Sequence, residues 1–210
     1  MSRLSVALSW LFVLVLWEIA GRSGWIGHFI LPWPSLVFAA AHAEGFSFLL
    51  DSALSLGRVG LGFVLAVILG TLCGLGIGLN KNFRELAEPI VHFLKPIPPV
   101  AWIPLAILWF GLGDAPAYFL TFIAAFFPVV MGAASGVRQI APEHFQVAAS
   151  LGASRKLLFK RVILPGALPQ IMNGCRIGFG VSWMAVVAAE MIAAQSGLGH
   201  LIHAGQDILR

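Results

Sequence analysis

Apolar residues run along this chain in long blocks, each near the length of about 20 residues that a helix needs to cross a bilayer. Five such blocks can be drawn, at residues 4–20, 53–79, 91–110, 117–137 and 168–194. The third is interrupted near its start by Pro96, Pro98, Pro99 and Pro104, which remove backbone donors and break a helix. Between the first two blocks lies LPWPS, residues 31–35, whose prolines fit an irregular entry to a short surface helix at 36–43. The pattern predicts an all-α integral membrane protein, with residues 1–210 forming a single transmembrane domain. The first block reads as an uncleaved signal anchor, because no small-x-small site follows it. The tail at 196–210 resembles the lead-in to a further span that never arrives, which predicts a truncated product or a fragment.

Composition agrees with the blocks. The chain is 59% hydrophobic and only 10% charged, against about 25% charged residues in soluble domains. The net charge of +4 sits between apolar blocks, so it reads as a topology signal and not as a nucleic-acid patch. Lys81 and Arg84 follow the second block, and Arg138, Arg155, Lys156, Lys160 and Arg161 follow the fourth. Both links are predicted to be cytoplasmic. GLGDAP, residues 111–116, has no basic residue and is predicted to lie outside, which places the N-terminus in the cytoplasm. Cys73 and Cys175 fall inside apolar blocks with no CxxC or Cys/His cluster, so neither a disulfide framework nor a zinc site is supported.

The stretch at 142–165, PEHFQVAASLGASRKLLFKRVILP, is the polar exception. Pro142 and Glu143 suit a first helical turn, Gly152 suits a left-handed stop, and Ser154 suits the cap of a second helix at 155–164. Ala148, Ala149, Ser150 and Gly152 are small and would let another surface approach the backbone. Two readings stay open on this pattern. One is an amphipathic segment lying on lipid headgroups, and the other is a docking knob for a cytoplasmic partner.

The same stretch resembles the ABC-importer permeases. Their pattern is Glu-Ala-Ala, three residues, Gly, nine residues, Ile, one residue, Leu-Pro. Here Gln146, Val147 and Ala148 are followed at the same spacing by Gly152, Val162, Leu164 and Pro165. Gln146 stands where the family has Glu, and Val147 where it has the first Ala. Further blocks, LPWPS, SLGRVGLGF, KPIPPVAWIPLAILWFGLGDAP, FFPV and VVAAEMIAAQSGLGHLI, look like the subgroup for nitrate, sulfonate, taurine and bicarbonate. The resemblance implies a type I permease bundle of six spans, of which about five are present here. It implies an inner-membrane homodimer, a dimer of ABC ATPase subunits and a periplasmic substrate-binding protein. ATP and Mg would belong to the ATPase, with no cofactor bound by this chain. The coupling helix would use Gln146, Val147, Ala148, Ala149, Ser150, Leu151, Gly152, Ala153, Arg155, Leu164 and Pro165.

Charges within the blocks are the remaining candidates. Glu18, Arg58, Arg176 and Glu190 either snorkel to a surface or face a cavity. Arg58, Arg176 and Glu190 are the candidates for an anion pathway, and Arg176 is the most attractive because its planar fork matches oxyanion geometry. Gly62, Ala66, Gly70, Gly74 and Gly78 recur every fourth residue and predict close helix packing. GLGIGLNK, residues 74–81, lacks the phosphate-loop signature, so nothing in the chain reads as an ATP site. Trp102, Trp109 and Trp183 read as interface or packing residues. His200 and His203 share a face with no third ligand. An intramembrane enzyme would need paired catalytic groups, and a secondary transporter two related halves; neither pattern is seen.

Overall fold

The computed structural model describes residues 3–23 and 31–208. Among the described residues all regular structure is helical. The chain divides into two compact units, Met1–Leu50 and Asp51–Arg210.

The first unit holds α1 (Arg3–Arg22) and α2 (Pro34–Glu44). α1 is apolar on every side, with Trp10, Phe12 and Ile19 exposed, as a helix bathed in lipid would be. α2 begins two residues before the predicted 36–43, because Pro34 occupies its first turn, where a missing N–H costs nothing. Glu18 is tied down here. Its carboxylate accepts from Arg22 Nε at 2.6 Å, from Ser35 Oγ at 2.7 Å and from the Ser35 backbone N–H at 3.0 Å. It therefore serves the N-terminus of α2, where a negative charge is favoured.

The chain continues through α3 (Phe46–Leu79), α4 (Lys81–Leu94), α5 (Ile103–Phe110), α6 (Ala115–Arg138), α7 (Pro142–Ser150), α8 (Arg155–Leu158), α9 (Leu164–Ala193) and α10 (Leu198–Ile208). Arg210 lies outside the described residues. Four helices among them are long and apolar enough to cross a membrane, or up to five if a bent pair counts as one span. That pair begins at Lys81, ten residues before the third predicted block at 91–110, which it contains, and it is not one straight helix. α4 and the stretch Pro99–Phe110 meet at 92°, since Pro96, Pro98 and Pro99 leave the backbone without donors at the corner. α3 starts at Phe46, seven residues before the predicted 53, with Asp51 inside the helix.

The fifth block departs further. The predicted separate helix at 155–164 runs through a π turn, Phe159–Ile163, directly into α9. A proline ring collides with the carbonyl four residues earlier in an α-helix. The π turn widens the ladder just before Pro165 and relieves that collision.

α6 forms the core of the second unit: Leu120, Ala125, Val129, Val130 and Ala133 are fully buried. The predicted small-residue face of α3 packs on it. A Cβ at Gly62 would stand 2.8 Å from the Tyr118 carbonyl oxygen, and one at Gly74 would stand 2.6 Å from Ala133 Cβ. Gly57, on the same helix, has nothing within 4 Å of its missing Cβ. Gly74→Leu should therefore cost about 1–3 kcal/mol or more through overpacking, whereas Gly57→Leu should be nearly neutral. Melting of the detergent-solubilised variants by size-exclusion fluorescence tests this, and equal melting of the two would refute it.

Candidate functional site

The stretch 142–165 folds as a knob. Pro142 starts α7, and Ala148, the one buried residue of that helix, faces inward. The helix ends in a Schellman arrangement: Ala153 N–H donates to Ala148 O at 2.9 Å, and Gly152 N–H to Ala149 O at 3.0 Å. Such a stop needs a left-handed residue, and Gly152 supplies it with φ of 68°. Ser154 Oγ then accepts from Leu157 N–H at 3.3 Å and caps α8. Phe145 and Leu158 pack against a cluster of Val137, Ile163, Ala167 and Ile171, so the knob is bolted to the ends of α6 and α9.

The outer side of the knob is apolar and bare. Leu151 is 80% exposed, and Val147 and Leu157 are also exposed. With Ala148 they line a cleft of about 590 Å³ between α7 and α8. A Cβ at Gly152 would meet nothing within 4 Å, so the space beside the turn is open. Gln146, Ala149, Ser150, Arg155, Leu164 and Pro165 are exposed as well, and Ala153 is half-buried.

A second constellation lies at the other end of α9. Glu190 and Arg58 are buried against each other, with Arg58 Nη1 donating to Glu190 Oε1 at 2.6 Å. Ser55 Oγ stands 2.8 Å from both carboxylate oxygens, and Gly199 N–H donates to Oε2 at 3.0 Å. Arg58 also donates to Ser196 O at 2.8 Å, Ser196 Oγ at 2.7 Å and Asp114 Oδ1 at 2.7 Å. Asp51 Oδ1 accepts from Gly197 N–H at 2.6 Å. One guanidinium therefore joins α3, the entry to α6 and the turn between α9 and α10. A buried charge is tolerated only when it is paired and its hydrogen bonds are met. Here nearly all are met; Arg58 Nε alone lacks a partner among the described residues.

Three blocks of sequence, SLGRVGLGF, GLGDAP and AEMIAAQSGLGHLI, thus meet at one point although they are far apart in the chain. The model of the binding-protein-dependent transport system inner membrane component family matches residues 63–209. The chain belongs to that family. It is 43% identical over 157 residues to the taurine transport system permease protein of Escherichia coli (strain K12), an alignment covering 75% of this chain and 57% of that protein. It is 36% identical over 203 residues to the bicarbonate transport system permease protein of Synechococcus elongatus, covering 90% and 72%. The nitrate import permease protein of the same organism is 35% identical over 153 residues, covering 73% and 55%. The chain thus spans between about half and three quarters of the length of these relatives.

In this chain the sequence-selected charges part company. Arg58 and Glu190 are joined in the buried cluster and do not snorkel. Arg176 is exposed on α9 and makes no ion pair or hydrogen bond among the described residues. The buried cluster also uses residues that the linear reading passed over: Asp51, Ser55 and Ser196, and the glycines of the SGLG turn. Opposite charges in two apolar blocks were the available signal for pairing. Gly197, at φ of 104°, was the signal for a turn pressed against something: its missing Cβ would lie 2.5 Å from Arg58 Nη1.

Proposed function

We propose that this protein is the membrane-spanning subunit of an ATP-driven importer for a small anion, such as taurine or another aliphatic sulfonate, nitrate or a similar ion. It would work as a homodimer in the inner membrane with its N-terminus in the cytoplasm. A periplasmic binding protein would deliver the anion, and a separate pair of ATPase subunits would hydrolyse ATP. The single observation that carries this reading is the knob at 142–165: an exposed apolar tip at Leu151, a left-handed glycine beside open space, and a packed root on α6 and α9.

The mechanism follows from that root. Closure of the ATPase pair would push on the knob. Because Phe145 and Leu158 pack into the same cluster as Val137 and Ala167, the push would reach α6 and α9 as a rigid-body tilt. No chemistry is asked of the permease itself. The similarity to taurine, bicarbonate and nitrate permeases supports a small anion as cargo. The test is uptake into proteoliposomes holding the permease, its co-encoded ATPase and the binding protein. ATP-dependent accumulation of labelled taurine, nitrate or bicarbonate is expected. An assembled, ATP-hydrolysing complex that accumulates none of the three would overturn the anion reading.

A further inference from the structure

Two clefts on one side of the second unit share a wall. The first, of about 440 Å³, is lined by Asn173 and Arg176 with Phe63 and Phe179. The second, of about 280 Å³, is lined by Lys95, Ser135, Gln170 and again Asn173. Gln170, Asn173 and Arg176 lie three residues apart, a spacing that keeps neighbours on one side of a helix. Polar groups therefore run up α9 from Gln170, whose amide donates to Gln139 Oε1 at 3.0 Å, to Arg176. Neither cleft is lined by an aspartate or a glutamate. Both of the charges present, Lys95 and Arg176, are positive, and neither has an ion-pair partner among the described residues.

Depth makes this arrangement informative. Arg176 lies about 22 Å along the helix from Arg161 and about 21 Å from Glu190, at 1.5 Å per residue. Gln170 is tied to Gln139 at the end of α6, about 9 Å from Arg176, so a hydrocarbon core about 30 Å thick would hold Arg176 in the third nearest the knob. An unpaired arginine facing lipid inside that core is costly, by about 2.5–3.5 kcal/mol at its centre and less toward its edge. Residues of this kind face water or a protein wall.

We propose that the side of α9 carrying Gln170, Asn173 and Arg176, with Lys95 and Ser135 beside it, is the wall of a water-filled path for small oxyanions. The proposal rests on the importer reading and adds the location and chemistry of the path. The Arg176 fork offers paired N–H donors to two oxygens of a sulfonate, nitrate or bicarbonate. Asn173 adds a neutral donor, and Lys95 adds a second positive charge along the same wall. With no carboxylate along it, the wall attracts anions and repels cations.

The test reads accessibility and charge preference, independently of transport. In a Cys73→Ala/Cys175→Ala background, Asn173→Cys is treated in membrane vesicles with two water-soluble thiol reagents. One is 2-sulfonatoethyl methanethiosulfonate and the other its trimethylammonium analogue. After correction for their rates with a free thiol, the anionic reagent should react about ten-fold faster. Arg176→Gln or Lys95→Gln should remove most of that preference, and nitrate should slow the reaction. Equal rates, a preference for the cation, or labelling only by a membrane-permeant maleimide would overturn the proposal. Gln170→Cys repeats the test if Asn173→Cys is not inserted. The importer reading is read out separately: anion preference without ATP-driven uptake would sink that reading alone, and uptake without the preference would sink this one alone.

Discussion

Glu190→Ala should cost about 3–5 kcal/mol, the range for removing one partner of a buried ion pair. The substitution removes the buried counter-charge of the Arg58 guanidinium, whose side chain is only 2% exposed, and also deprives Ser55 Oγ and Gly199 N–H of their acceptor. For a chain of this size that loss corresponds to a melting temperature lower by roughly 10 °C. Asp114→Ala is the matched comparison. Asp114 binds the same guanidinium at 2.7 Å, but its side chain is 53% exposed, so water screens the pair and the loss should stay under about 1 kcal/mol. Gly197→Ala should fall nearer Glu190→Ala, because the new methyl would press on Arg58 and Glu190 at a backbone angle that favours glycine. Melting curves of the three variants in one detergent decide the matter. If Asp114→Ala lost as much as Glu190→Ala, the buried cluster would not be what holds the turn between α9 and α10.

Gly152→Asp should have the opposite profile, a small effect on the chain itself and a large one on its proposed assembly. A residue with a Cβ in the left-handed region costs about 1–2 kcal/mol, and the new Cβ meets nothing within 4 Å. The protein should therefore insert and melt within a few degrees of the parent. Capture of the ATPase subunit should nevertheless fall by at least about ten-fold, since a charge beside the bare Leu151 would have to be desolvated in the joint. Gly152→Ala, with the backbone strain but no charge, should lose less. The measurement is co-purification of the co-expressed ATPase with the tagged permease at equal permease yield. Capture of the ATPase by Gly152→Asp at the parental level would count against docking through this turn.

The two sites were not equally legible in the linear chain. The knob is local: Pro142, Gly152 and Ser154 each act within four residues of their own position, and short-range rules identify them. The prolines likewise predicted the break after α4 but not its 92° angle, which depends on how α4 and α5 each pack. The separate helix expected before Pro165 failed for a different reason. A π turn leaves no signature in composition, and it lets a proline follow without a break.

Block length, charge position and glycine spacing determine that this chain is a helical membrane protein, and the spacing around Gly152 determines its family resemblance. Those features need no knowledge of which helix lies beside which. The state of the buried charges does. Arg58 and Glu190 are 132 positions apart, and helical periodicity says which residues share a face but not which faces meet. Only the packing of α3 and α9 around α6 joined that pair in a buried cluster and left Arg176 unpaired. In a medium of low dielectric, that difference between a charge with a partner and one without separates a structural tie from a wall that an anion could follow.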